Sequence, residues 1–533
     1  MKTLLLATVA TMVSATMMTG TSWAATIGEG RYHLGVAGQP EWQEFADSTP
    51  HGPQLELKFN ATATAGEATL FIRQSNVKIG WNVAINGQRI GTLETLTQPL
   101  VRALPVRAGL LRDGENTLTI ARGASRLADD IVVSEITLEL RPRAEVLGAA
   151  TLAIAVTDAE GGSALPCRLT LVDEREALMP VQPAEGQQLA VRTGVIYTGD
   201  GRAELGVAPG TYLLYAGRGF EYSVATQRVT VAAGETKAVA LSIRREVPTP
   251  GLVACDTHIH TLTYSKHGDA TVDERLLTIA GEGIELAVAT DHNHHADYTE
   301  AVERMGMNGH FRSVIGNEIS TKAGHFNAFP MRADSPLPDA QLTDWMALLH
   351  NIRSVTGAKV VTLNHPRDVH QNFTPFAAEN FDPVTGELRA APKFDVDAIE
   401  VVTSAAMQSD IMLLYRDWFA LLNYGYRVAA IGASDTHQVS EFILGQSRTY
   451  AAVVHDNEPG SLDVDEVCAS YRAGRLLVSM GLLTQMAVNG KVGVGEVATG
   501  LGDEVNVEVT VHGPSWVTAD RVELFANGIK VRE

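Results

Sequence analysis

Leu252-Val-Ala-Cys-Asp256-Thr-His258-Ile-His260 is an apolar run that ends in a carboxylate and two imidazoles. Uninterrupted apolar residues suit a strand buried on both faces, as in parallel sheets, rather than a half-solvated antiparallel one. In an extended segment side chains two apart point the same way, so His258 and His260 can reach one metal ion. The stretch predicts a buried strand with ligands at its C-terminal end.

The pattern repeats downstream. Apolar segments at 286–289, 313–315, 358–363, 398–402 and 428–431 read as further strands, with helical runs such as 339–355 and 410–424 between them. Strands alternating with helices predict a parallel sheet with covered faces. Six or seven such units predict a barrel, where chemistry gathers at the C-terminal strand ends. The candidate ligands fall there: Asp291-His292-Asn-His294-His295, Gly316-Asn-Glu318, Gly324-His325-Phe-Asn327, Asn364-His365-Pro-Arg367 and Ser434-Asp435-Thr-His437. Twelve of the 16 histidines lie between His258 and His437.

Asp435-x-His437 repeats the spacing of the first motif with a carboxylate. Mixed carboxylate and imidazole donors suit Zn, Mn or Fe, and the lack of thiolates argues against a closed structural zinc site. The set is too large for one ion, so two or three divalent ions sharing a carboxylate fit better, and metals ~3.5–4 Å apart activate one bridging hydroxide. Asp291 reads as a group that orients ligands, and His294 and His295 as lining of the cleft. His310, His350 and His370 end no candidate strand and read as structural. Arg367, Asn327 and Asn364 read either as substrate contacts, with Arg367 suited to a phosphate, or as groups satisfying loop backbone.

Over residues 252–454 these motifs resemble the PHP (polymerase and histidinol phosphatase) superfamily, in the family's order. Gly324-His-Phe-Asn327 and Ala289-Thr-Asp-His-Asn293 resemble its carbaryl-hydrolase-type branch. The resemblance implies a distorted (β/α)7 barrel over 251–480, up to three metals, and the ligands His258, His260, His292, Glu318, His325, His365, Asp435 and His437, with Glu318 bridging. The family commonly has Ser-Asp-Gly five residues after its His-x-His. Here Ser265-Lys-His-Gly-Asp269 is two residues longer; Asp269 aligns best, and His267 is the other candidate. The activity implied is hydrolysis of an ester, amide or carbamate in a small-molecule substrate, with His437 or His267 passing a proton to the leaving group. A phosphoesterase on the same centre is the alternative. A carbohydrate- or surface-binding protein with an inert barrel is an alternative of another class, against which the complete ligand set speaks. Amidohydrolase barrels also open with Asp-x-His-x-His but typically need a mid-barrel lysine, and no lysine ends a candidate strand.

Upstream, residues 26–147 show short alternating stretches with a hairpin signal at Asn86-Gly87, which predicts a β-sandwich. Trp81-Asn-Val-Ala-Ile-Asn-Gly87 resembles galactose-binding-like jelly rolls. Residues 148–246 resemble transthyretin-like or carboxypeptidase-regulatory sandwiches and read as a spacer or stabiliser. The proline-bearing run Arg244-Arg-Glu-Val-Pro-Thr-Pro-Gly251 is a linker. Residues 481–533 read as a C-terminal β segment. The fold class expected is thus multidomain: two N-terminal β-sandwiches, an α/β barrel and a β segment.

Lys2, an apolar stretch over 4–18 and Ser22-Trp23-Ala24 read as a signal peptide over 1–24, so the mature chain is expected in the periplasm or outside the cell, with no membrane span after cleavage. Cys167, Cys255 and Cys468 are too few and too scattered for a disulfide framework. A net charge of −20 would repel nucleic acid and anionic membranes.

Overall fold

Short alternating stretches joined by tight turns build the first of the two units into which the chain divides, and the second runs from Leu147 to Glu533 with Gln98–Val101 added. The computed structural model describes residues 24–46, 48–125, 127–455 and 457–533. Except for Ala24, the leader expected over 1–24 lies outside the described residues. The protein is multidomain and mostly β-sheet with few helices. Among the described residues, no helix is long and apolar enough to cross a membrane.

In the first unit, one sheet runs Ala24–Gly28, Ile131–Glu139, Ala68–Ser75, Leu100–Val106, and the other Gln54–Ala61, Gly114–Arg122, Trp81–Ile85, Gln88–Thr92. Trp81, Val83 and Ile85 alternate inward and join Leu70, Ile72, Leu118 and Ile120 in one core. Asn86 and Gly87 both have positive φ, 51° and 77°, the backbone that a two-residue hairpin requires.

The second unit opens with another sandwich. Ala150–Asp158 lies between Arg202–Val207 and Thr236–Ile243 in one sheet, while Cys167–Val172 lies between Val195–Thr198 and Gly210–Gly217 in the other. Leu152, Ile154, Leu169, Leu171, Ile196 and Leu205 fill the space between.

Two five-stranded sheets follow. One contains Leu252–Ile259 (β1), Leu286–Ala289 (β2) and Arg312–Ile315 (β3). The other contains Asn317–Thr321 (β4), Gly324–Phe329 (β5), Val360–Leu363 (β6), Ala398–Thr403 (β7) and Ala429–Ala433 (β8). Arg448–Ala452 (β9) and Leu476–Ser479 (β10) complete the first sheet, in the order β3-β2-β1-β9-β10, and the second runs β4-β5-β6-β7-β8. All residues of β1, β2, β6 and β7 are buried, which explains their unbroken apolar character. The sheets are joined at two places. Isolated bridges join Ile259 to Thr436 on one side and His292 to Glu318 on the other, and only Gly316 separates β3 from β4.

The strands are not all parallel, as the alternation with helices had predicted. β5 is antiparallel to both β4 and β6, and β9 is antiparallel to β1. The reason is length: Lys322 and Ala323 alone connect β4 to β5, whereas a parallel crossover needs a dozen residues or more. Helices Val272–Gly281, Trp345–Thr356, Leu413–Tyr424 and Val464–Ala473 supply the helical runs. The first opens with a capping box between Thr271 and Glu274, which fixes its start just after the loop 265–269.

The three cysteines are free and buried. Beyond β10, Leu483–Val488 pairs with Val507–His512. Trp516 stacks on Phe220 of the second sandwich and donates to the Tyr222 carbonyl at 2.8 Å.

Candidate metal centre

The seams between the two sheets are where the chemistry collects. Ile259 and Thr436, bridged across one seam, are each flanked by candidate ligands, and His292 bridges Glu318 across the other. His325 opens β5 instead of ending a strand, but because β5 is antiparallel its start lies at the same rim, opposite Ser320. His365 and Asp435 have φ of 23° and 53°, a left-handed backbone that non-glycine residues adopt only when the surroundings impose it.

Glu318 is the hub. It is fully buried, and its Oε1 lies 3.1 Å from His258 Nε2, 3.1 Å from His325 Nδ1 and 3.5 Å from His365 Nε2, with the Asn364 amide donating to it at 3.0 Å. Its Oε2 contacts His292 Nδ1 and lies 3.6 Å from His260 Nε2. Asp435 Oδ1 sits 3.1 Å from His260 Nε2 and 3.3 Å from His258 Nε2. The donor atoms of four trios each lie within 4.8 Å of one another: His260, His292, His437; His258, His260, Asp435; His258, Glu318, His365; and His325, His365, His370.

Ring tautomers follow from what surrounds each nitrogen. Glu400 Oε1 is 2.7 Å from His258 Nδ1 and accepts its proton. The Asp435 carbonyl accepts from His437 Nδ1 at 3.1 Å. Ser265, whose hydroxyl donates to Asp291 at 2.7 Å, accepts from His260 Nδ1 at 3.3 Å. Each neutral ring therefore turns an Nε2 lone pair into the cluster. His258 Nε2 and His260 Nε2 are buried with no hydrogen-bond partner, and the Nε2 atoms of His292 and His437 face each other at 3.4 Å. Buried acceptors that face one another are costly unless cations lie between them. The buried carboxylates Glu318 and Glu400 and the largely buried Asp435 add negative charge of the same consequence. These residues fit divalent ions.

Protons replace such ions in the metal-free protein. Burial opposes charge on His365, but Glu318 and then Asp435 outweigh it and hold the ring up at about 9. Burial, partly offset by His258, pushes Asp435 up to about 6. Burial and then the neighbouring His267 and His292 rings press His437 down to about 3.

Two of the expected site residues lie elsewhere. Asp269 is not among the converging groups: its Oδ2 accepts from Arg192 Nε at 3.0 Å and its Oδ1 from the Val439 amide at 2.8 Å. An arginine from the second sandwich satisfies this carboxylate, so that sandwich is more than a spacer. Arg367 is equally committed, donating to Asp417 through Nε at 2.8 Å and Nη2 at 2.7 Å. His267 is exposed and stacks on His437 and His292, with ring centroids 4.4 and 4.9 Å apart. Beside it, Gly268 has φ of 82°, and a Cβ there would meet the His437 carbonyl at 2.4 Å. Asp291 takes its four Oδ1 contacts from Thr261 and Ser265 and so shapes the loop. His295 contacts Asn317 and the Pro336 carbonyl, and His294 stacks on Tyr264.

No protein-family model matches this chain, and no curated protein does. Among solved structures, similarity extends to a CBM36-1 domain of a multidomain xylanase from the hindgut metagenome of Trinervitermes trinervoides, at 12% identity and a TM-score of 0.15, covering 20% of this chain and 96% of that one. A GH2 β-galacturonidase from Eisenbergiella tayi aligns at 11% identity and a TM-score of 0.17, covering 54% of this chain and 60% of that one. The minor pilin GBS52 of Streptococcus agalactiae aligns at 16% identity and 0.17, covering 41% and 98%. Scores this low carry no inference about what the chain does.

Two residues that position the ligands, Glu400 and Arg275, carry no motif in the sequence, and a third beside the site, His370, reads there as structural. Glu400 holds His258 and accepts from the His365 amide at 2.9 Å. Arg275, fully buried, donates to the carbonyls of His260 at 3.0 Å and Thr436 at 3.3 Å and so ties the first and last ligand motifs together. His370 packs on His325. A carboxylate within the apolar run Ala398-Ile-Glu400-Val was the available signal for the first, since a buried charge demands partners.

Proposed function

We propose that this chain is a secreted, metal-dependent hydrolase of the PHP type that cleaves an ester, amide or carbamate in a small molecule. The convergence of imidazole lone pairs on the shared carboxylate Glu318 carries the proposal. Bound there, two or three Zn, Mn or Fe ions would polarise the scissile carbonyl and acidify water enough for attack near neutral pH. Glu318 and Asp435 supply the shared negative charge, and His258, His260, His292, His325, His365 and His437 supply neutral nitrogen. Glu400, Asn364 and Arg275 hold those donors in place.

His267 passes the proton to the leaving group. Its ring stands exposed at the rim, the Ser265 carbonyl accepts from Nδ1 at 3.0 Å, and Nε2 is left for exchange with substrate or water. His437 is the poorer donor, because its Nε2 is turned into the cluster and its Nδ1 is tied to the Asp435 carbonyl.

A carbon ester, amide or carbamate is favoured over a phosphoester because the one arginine expected to grip phosphate is paired with Asp417. The signal-like N-terminus supports export. The test is a panel of labile aryl esters, aryl carbamates and aryl phosphates presented to protein stripped of metal and then reloaded. Metal-dependent turnover led by esters or carbamates is expected; turnover of the phosphates alone would replace this substrate class with the other.

A further inference from the structure

His370 ends no strand, yet its ring lies 4.2 Å from that of His325 and 5.3 Å from that of His365, centroid to centroid. The side chain is 7% exposed, and its Nε2 is buried without a hydrogen-bond partner. We infer that His325, His365 and His370 together hold a divalent transition-metal ion through three imidazoles. This inference rests on the metal-dependent reading for His325 and His365 and extends it by His370.

Local structure presets the third ligand. Gln371 and Asn372 have φ of 49° and 75°, and His370 and Phe373 exchange both backbone hydrogen bonds, at 2.6 and 2.9 Å. That is a two-residue hairpin turn of the primed type, which Asn tolerates well. One end of the segment is anchored by the Arg367–Asp417 pair, and the Phe376 amide donates to the Pro366 carbonyl at 2.9 Å. His370 is thus presented on a braced hairpin, with little side-chain freedom left to lose on binding.

The chemistry selects the ion. Three imidazoles suit Zn²⁺, Co²⁺, Ni²⁺ or Cu²⁺, and disfavour Mg²⁺ and Ca²⁺, which prefer oxygen ligands throughout. Glu318 Oε1, 3.1 Å from His325 Nδ1, places this site beside the carboxylate hub. No described hydrogen bond occupies the His370 Nε2 that would bind the ion.

The experiment uses the full chain, stripped by chelator and reloaded with Co²⁺. Elemental analysis and the visible absorption of bound cobalt are compared between the natural protein and His370→Gln, with far-UV circular dichroism as the check of fold. One cobalt fewer per chain, or tenfold weaker binding of one cobalt, is expected in the variant; unchanged number, affinity and spectrum would overturn the assignment. Should the variant not fold, cobalt anomalous scattering from crystals of the natural protein decides. A peak ~2.1 Å from a His370 ring nitrogen is expected. Peaks at Glu318 and Asp435 with none at His370 would overturn this inference alone, whereas no bound cobalt at all would overturn the hydrolase reading with it.

Discussion

Arg192, on a strand of the second β-sandwich, grips Asp269 twice: Nε donates to its carboxylate at 3.0 Å and Nη2 to its carbonyl at 2.6 Å. Nη1 continues to Glu274, the capping residue of the next helix, at 2.8 Å. The amides of Asp269 and Ala270 in turn donate to the His437 carbonyl. A side chain outside the two sheets that carry the candidate ligands therefore fixes the loop that packs on one of them.

Loosening that grip is expected to cost activity more than stability. Asp269 is partly exposed, so Arg192→Ala should lower the unfolding free energy by only ~1 kcal/mol. Turnover of an aryl ester should fall at least tenfold, because His267 and His437 lose their fixed separation. Denaturant unfolding and steady-state kinetics on the same preparation measure both, and Arg192→Lys should restore little, lacking the fork that reaches two groups.

Glu400 is fully buried against His258 and the His365 amide, so its role is read through metal affinity. Glu400→Gln keeps the shape but weakens the acceptor for His258 Nδ1, and about 10–100-fold weaker binding of one ion is expected. Competition with a chromophoric chelator reads this directly.

Arg367→Ala should behave as a folding variant. Asp417, 1% exposed, would be left buried without its partner, at a cost of ~3 kcal/mol. Ester and phosphoester turnover should decline together as folded protein is lost. Selective loss of phosphoester turnover would instead show that the guanidinium leaves Asp417 to meet substrate.

Metal uptake should release protons. His365, held at about 9, carries a proton at pH 7 and must lose it to bind an ion. Apparent metal affinity should therefore rise with pH and level off above about 9, and fall steeply below about 6, where Asp435 is protonated too. Stability of the metal-free chain runs the other way. A His365 pKa raised above the unfolded value of ~6.5 stabilises fully below that pH and loses its contribution as pH rises through about 9. Indicator-dye titration and melting curves of stripped protein test the two halves.

What could be read in advance followed sequence distance. His258 and His260 were legible because period two is a local property of strands, and Asn86-Gly87 because its turn is local as well. Glu318 was reached through its place after a short apolar strand. By contrast, Asp269 resembled a ligand from its own loop, while the arginine that claims it lies 77 residues earlier. Arg367 likewise meets a partner 50 residues later. His370 ends no strand, and only the hairpin at Gln371-Asn372 turns it back towards His325. The antiparallel β5 was hidden in an otherwise parallel pattern, although the two-residue link Lys322-Ala323 is too short for anything else.

The central claim is that cations sit among these imidazoles and carboxylates, and elemental analysis of the purified mature chain tests it most directly. Two or three equivalents of Zn, Mn or Fe are expected, with turnover lost on chelation and regained when the metal returns. A chain that carries no stoichiometric metal, or hydrolyses its substrate at full rate once stripped, would contradict the account.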